Sequence, residues 1–196
     1  MVSTPELMFW TAVVTAVMLL LGWTAYKIPR LKAWIAVLED VLAAVFLTSG
    51  LTVVMISVFT RYVLNNPLGW ADEFARVFVA WGAMFGFSVA LRERRHIGVD
   101  LLYSVVSKRV KHLMDIAANL IGLIFASFMT VTGVKLILFL KMLGLKSIYT
   151  DIPEWILQLI IPLGFALFAL QFAINVFEVW RGYPEVQEGE GEVLAV

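Results

Sequence analysis

VLAAVFLTSGLTVVMISVFTRYVLNNPLGWADEFARVFVAWGAMFGFSVALRERR, residues 41–95, is the stretch that decides the fold. It holds two apolar runs, Val41–Thr60 and a second from near Pro67 to about Leu91. Each is about the twenty residues that a helix needs to cross a hydrocarbon core roughly 30 Å thick. Between them lies a short polar turn, and Arg92-Glu93-Arg94-Arg95 stops the second run. A lipid-exposed backbone must satisfy its own hydrogen bonds, so the pair is expected as two transmembrane helices joined by a tight turn.

Outward from this hairpin the same pattern repeats. Leu7–Tyr26 is a twenty-residue apolar run closed by Lys27, Pro29 and Arg30, and a short stretch with Trp34, Ile35 and Leu38 on one side leads to Glu39 and Asp40. A fourth span is expected over Met114 to about Leu140, after a short amphipathic piece (Val99–Val106), and a fifth from Pro153 to near Trp180. Hydrophobic residues make up 61% of the 196 positions, and mean hydropathy is +0.89. A soluble domain of this size leaves too much surface exposed to hide that share, so lipid is the solvent. The run at Leu7 is preceded by Glu6 and by no Lys or Arg, unlike a signal peptide, and is read as a retained span.

The expected fold is therefore all-α and polytopic, with five spans. Orientation follows from the cations. Placing residues 27–34, 92–112 and the C-terminal tail inside collects Lys27, Arg30, Lys32, Arg92, Arg94, Arg95, Lys108, Arg109, Lys111 and Arg181, against Arg61, Lys141 and Lys146 outside. The N-terminus is thus expected outside and the C-terminus in the cytoplasm. Residues 1–34 form a first helix with a basic loop, 35–182 a four-helix membrane domain, and 183–196 an acidic flexible tail. Trp34, Trp70, Trp155 and Trp180 fall near span ends, where interfacial anchors belong.

Charged groups at membrane depth are costly and need an explanation. Asp72 and Glu73 fall in the first turn of the third span, with Asn66 available as N-cap and Arg76 one turn deeper, in reach of a local ion pair. Arg76 either fixes this helix's depth or contacts a partner protein or lipid headgroup. Lys111 and His112 can neutralise Asp115, which shares a face with Asn119, and Gln171, Asn175 and Glu178 form a second polar stripe; both sets are expected to hydrogen-bond between helices, with a proton path as the alternative. Small residues form ridges at Gly82, Gly86 and Ala90, at Ala118, Gly122, Ala126 and Thr130, and at Ala169 and Ala173, which let helix backbones approach closely, within the chain or against another.

Several functions lack their equipment. Net charge is zero, which disfavours nucleic acid, and cysteine is absent. His96 and His112 both fall in the inner loop region, so haem ligation inside the spans is disfavoured, and a metal site from His96, Asp100 and His112 is a remote option. No HExxH, GxSxG or phosphate loop occurs. No matched pair of broken helices marks a transport pathway within this chain.

The combination Arg61-Tyr62-Val63-Leu64-Asn65-Asn66-Pro67-Leu68-Gly69-Trp70-Ala71-Asp72-Glu73-Phe74-Ala75-Arg76, then Trp81 and Arg95-His96-Ile97-Gly98-Val99-Asp100, resembles the small DctQ-like membrane subunit of tripartite ATP-independent periplasmic (TRAP) transporters. The resemblance covers about Leu38–Arg181. It implies a tilted four-helix unit, without catalytic residues or cofactors, that acts as a fixed scaffold. Its partners would be a large DctM-like membrane subunit of about a dozen spans, moving elevator-fashion, and a periplasmic DctP-like substrate-binding protein. The process would be sodium-coupled uptake of a small organic anion across the bacterial inner membrane. Arg61, Asn66, Trp70, Glu73 and Arg76 would face the binding protein or phospholipid, while Arg95, His96 and Asp100 would form a structural cytoplasmic motif. Leu7–Tyr26 departs from the family's four-span pattern. The rival from the residues alone is a self-contained homo-oligomeric carrier or channel.

Overall fold

The computed structural model describes residues 4–92 and 108–181. Helix α1 (Thr4–Lys27) meets α2 (Pro29–Tyr62) at a corner on Ile28, whose backbone is extended (φ −113°, ψ 91°). Pro29 dictates that corner, because its ring disfavours the helical conformation for the residue before it and its own missing N–H is harmless at the first helical position. The short amphipathic stretch expected before the second span is continuous with it. At 34 residues α2 is about 51 Å long, more than the hydrocarbon core, so it tilts or projects beyond it.

Helix α3 runs Gly69–Arg92 and α4 runs Lys108–Leu143. Then α5, a single turn over Glu154–Leu157, leads into α6, Ile160–Trp180. The break between them follows from Pro162, which has no N–H to offer Gln158; the Ile161 N–H reaches that carbonyl instead at 3.1 Å. Among the described residues, five stretches are long and apolar enough to cross a membrane: Pro5–Lys27, Pro29–Tyr62, Gly69–Arg92, Val110–Leu143 and Glu154–Trp180. No strand occurs among the described residues.

Two packing units share α6. In the first, α2 and α3 form an antiparallel hairpin with an aromatic seam: Phe46 stacks on Phe85 at 5.9 Å and lies 5.3 Å from Trp81. A Cβ at Gly82 would lie 2.8 Å from the Leu47 backbone nitrogen, so only glycine lets these helices approach so closely. In the second, α4 and α6 bury Leu123, Ala126, Ala169 and Ala173 together. The N-terminal helix joins this second unit, and a Cβ at Gly22 would come within 2.6 Å of the Ala173 methyl. Outward faces are apolar and open, as at Met55 and Ile121 (69% and 68% exposed), which suits lipid.

The interhelical ties and the α2–α3 turn

At the α2–α3 turn, Asp72 is the focus. Ser57 Oγ donates to its Oδ1 at 2.6 Å, and Arg61 pairs with its Oδ2. Because Arg61 reaches across from α2, the local Asp72–Arg76 side-chain pair expected from helical spacing does not form. The Arg76 Nε donates instead to the Asp72 backbone carbonyl at 3.2 Å. Helix α3 starts at Gly69, so Asn66 is not its N-cap. Asn66 is exposed, and its backbone N–H closes the turn on the Thr60 carbonyl at 3.0 Å. Asn65 takes a positive φ of 49° in this turn, which asparagine tolerates. Trp70 is 44% exposed and meets Phe74 edge-on.

Glu73 points the other way. It is buried, and its Oε2 accepts from Ser147 Oγ and from Thr150 Oγ1 at 3.3 Å. This ties the start of α3 to the loop 144–153. That loop is itself held by Ser147 N–H on the Ile152 carbonyl (2.9 Å) and Glu154 N–H on the Leu145 carbonyl (3.0 Å). Gly69 lies under the Tyr149 ring, where a Cβ would be 2.4 Å from ring carbons. Of the five residues read as facing a partner, the structure therefore leaves Arg61, Asn66, Trp70 and Arg76 at the surface and buries Glu73 in a contact between its own elements.

The opposite end of the hairpin holds a cluster that sequence reasoning passed over. Glu39 is fully buried. Ser88 Oγ donates to it at 2.9 Å, Gln171 Nε2 spans both its oxygens at 2.9 and 3.1 Å, and Arg92 Nη1 lies 3.3 Å from Oε2. Arg92 also pairs with Asp40. One carboxylate thus fastens α2 to α3 and α6, and Lys32 pairs with Glu178 between α2 and α6. Hydrogen bonds to a charged group contribute about 1.5–3 kcal/mol each, and an unpaired buried charge is far more costly, so the cluster stands or falls together. A signal was available: the buried residues of α2 are Glu39, Ala43, Gly50 and Ser57, spaced by fours and sevens on one face.

Gln171 is the member of the fifth-span stripe that makes this tie. In α4 the Asn119 amide turns back onto the Asp115 carbonyl at 2.8 Å. Among the ridge residues, Gly122 lies against the Phe172 ring and Ala126 is buried, whereas Ala118 is exposed. Gly82 faces Leu47, but a Cβ at Gly86 would meet nothing within 4 Å. Gly82 and Gly86 are thus not one seam inside the chain, because Phe85 fills the seam beyond Gly82 and turns Gly86 outward. Arg95, His96 and Asp100 lie outside the described residues. No group of three metal-binding side chains occurs among the described ones.

Residues 50–182 match the family described as tripartite ATP-independent periplasmic transporters, DctQ component. The chain belongs to this family. It is thus a small permease subunit of a TRAP transporter and a multi-pass membrane protein, not an enzyme. It is similar to the C4-dicarboxylate TRAP transporter small permease protein DctQ of Pseudomonas aeruginosa, at 28% identity over 121 residues covering 60% of this chain and 58% of that protein. The Rhodobacter capsulatus protein of the same name matches at 25% over 54% of this chain and 46% of its own length. The sialic acid TRAP transporter permease protein SiaT of Haemophilus influenzae matches at 24% over 43% of this chain and 14% of its length. The chain spans about half the length of the first two relatives. Helix α1 lies wholly before the matched region.

Proposed function

We propose that this chain is the fixed, non-catalytic scaffold of its TRAP transporter. In this reading a large DctM-like subunit carries the moving substrate and sodium sites, and a periplasmic DctP-like protein delivers the substrate. The observation that supports it most is Glu39: a fully buried carboxylate just ahead of the second span, a candidate ion or proton site by its burial, is occupied by Ser88, Gln171 and Arg92 in tying three helices together. The charges of this cluster hold helices together rather than line a path.

The N-terminus lies outside and the C-terminus inside in this proposal, in the bacterial inner membrane, so the α2–α3 turn faces the periplasm. Arg61, Asn66, Trp70 and Arg76 there meet the binding protein or phospholipid, Glu73 holds the loop behind them, and Arg95, His96 and Asp100, outside the described residues, belong to the family's cytoplasmic motif. Residues 35–182 form the family unit, and the tail 183–196 lies outside the described residues. Helix α1 widens the scaffold on the α4–α6 side. Gly86, open within the chain, is a contact for the large subunit. Relatives bear the names of C4-dicarboxylate and sialic acid transporters, so the substrate is a small organic anion, whether a carboxylate, a sugar acid or a sulfonate.

Affinity capture of the full chain from native membranes tests this: a membrane protein of about a dozen spans co-purifies, and the purified chain in proteoliposomes takes up nothing by itself. A stable homo-oligomer that transports alone establishes the rival small carrier, with Gly86 as its self-interface.

A further inference from the structure

A pocket of about 600 Å³ opens where α3, the loop 144–153 and α5 meet. Its walls change character in one direction. Along α3 the lining passes from Glu73 and Arg76 to Val77 and Ala80, a descent of about 10 Å into the span at 1.5 Å per residue. The facing wall runs from Glu154 through Leu157 and Gln158 to Ile160, and Lys146 lines the pocket beside Leu145 and Ile148. Two tryptophans mark the depth. Trp70 stands at the start of α3, and Trp155, under the Lys141 ammonium at 5.6 Å, stands at the start of α5. Tryptophan at both span ends is the mark of the headgroup level. Along α3 the pocket is therefore polar where headgroups lie and apolar where acyl chains begin.

The rim cations keep free donors, although the Arg76 charge also lies close enough to the Asp72 carboxylate to act on it. Arg76 uses only Nε, on the Asp72 carbonyl, and among the described residues its two terminal nitrogens and the Lys146 ammonium meet no acceptor. Glu73 is committed to Ser147 and Thr150. Glu154 has no cationic partner among the described residues. Two cations beside one open carboxylate match a group that carries a phosphate and an amine together. We propose that this pocket holds one aminophospholipid of the phosphatidylethanolamine kind. Its phosphodiester lies between Arg76 and Lys146, its ammonium lies on Glu154, and its first acyl carbons lie on Val77, Ala80, Leu157 and Ile160. A guanidinium presents two parallel donors to a phosphate, which a lone lysine does not. The site belongs to this chain's own fold and does not depend on which substrate the transporter carries.

Native mass spectrometry of the purified full chain, delipidated and then titrated with defined lipids, tests it. One phosphatidylethanolamine is retained at detergent levels that strip the others, and Arg76→Gln with Lys146→Gln lowers its retention at least about tenfold. Both residues are exposed, so the melting temperature of that variant stays at the wild-type value. Glu154→Gln shifts preference toward phosphatidylglycerol. Displacement of the lipid by inorganic phosphate would show a free-anion site and overturn the proposal. Equal retention by wild type and double variant would overturn it too, as would a variant that keeps the lipid and loses the binding protein instead.

Discussion

The two ends of the α2–α3 hairpin use the same chemistry in opposite settings. At one end Asp72 and Arg61 pair with their side chains 48% and 45% exposed. At the other Glu39 is wholly enclosed, and Arg92 beside it is 16% exposed. A surface ion pair contributes about 0.2–1 kcal/mol, while removing one partner from a buried one costs about 3–5 kcal/mol. The enclosed end therefore holds the bundle together, and the open end is left free to meet something else. Helix α6 sharpens the difference, since Gln171 joins the Glu39 cluster, whereas Asp72 is held by Ser57 and Arg61 of α2.

The comparison breaks most sharply at Glu39. Glu39→Ala leaves Gln171 and Ser88 without their acceptor and Arg92 with Asp40 alone, and the melting temperature in detergent falls by about 10 °C, taking about 3 kcal/mol as a drop near 3 °C each. A fall as small as that of an exposed pair would erase the distinction between the ends. Gly82→Leu comes next. It drives a side chain into Leu47 and destabilises the chain by about 1–3 kcal/mol in the same melt. Gly86→Leu, by contrast, leaves the melt unchanged and reduces co-purification of the large subunit; an equal melting loss at both glycines would mean that α3 packs differently. Ser147→Ala removes one donor from buried Glu73 and costs about 1–3 kcal/mol, read as earlier hydrogen exchange in the loop 144–153. Arg61→Ala is the smallest in stability, below about 1 kcal/mol, yet it lowers coupling to the binding protein, seen as slower uptake by the assembled transporter at unchanged expression.

The sequence made the architecture readable because lipid imposes a length and a composition on every span. Val41–Thr60 with Pro67–Leu91 could only be a hairpin, and α1 was visible although it lies outside the family match. Pairings across helices were less legible. Arg76 and Asp72 satisfy the i, i+4 rule, but Arg61 from the neighbouring helix takes the carboxylate, and no periodicity within α3 reveals that. Glu39 reads as a polar residue ahead of a span, because only the continuity of α2 from Pro29 carries it beside Ser88 and Gln171. Gly82 and Gly86 share a pattern, but the Phe85 ring between them decides which one faces inward. Helix α1 could be counted but not placed until Gly22 met Ala173.

The claim that this subunit stays fixed while its partner moves has a direct test. The chain contains no cysteine, so Gly50→Cys with Val79→Cys gives a background-free pair where a Cβ at Gly50 lies 3.0 Å from Val79 Cγ2. The oxidised pair locks α2 to α3. Uptake by the complete transporter carrying that cross-link should equal uptake after reduction. Loss of uptake on oxidation, restored by reductant, would show that the hairpin moves during transport and contradict the scaffold account.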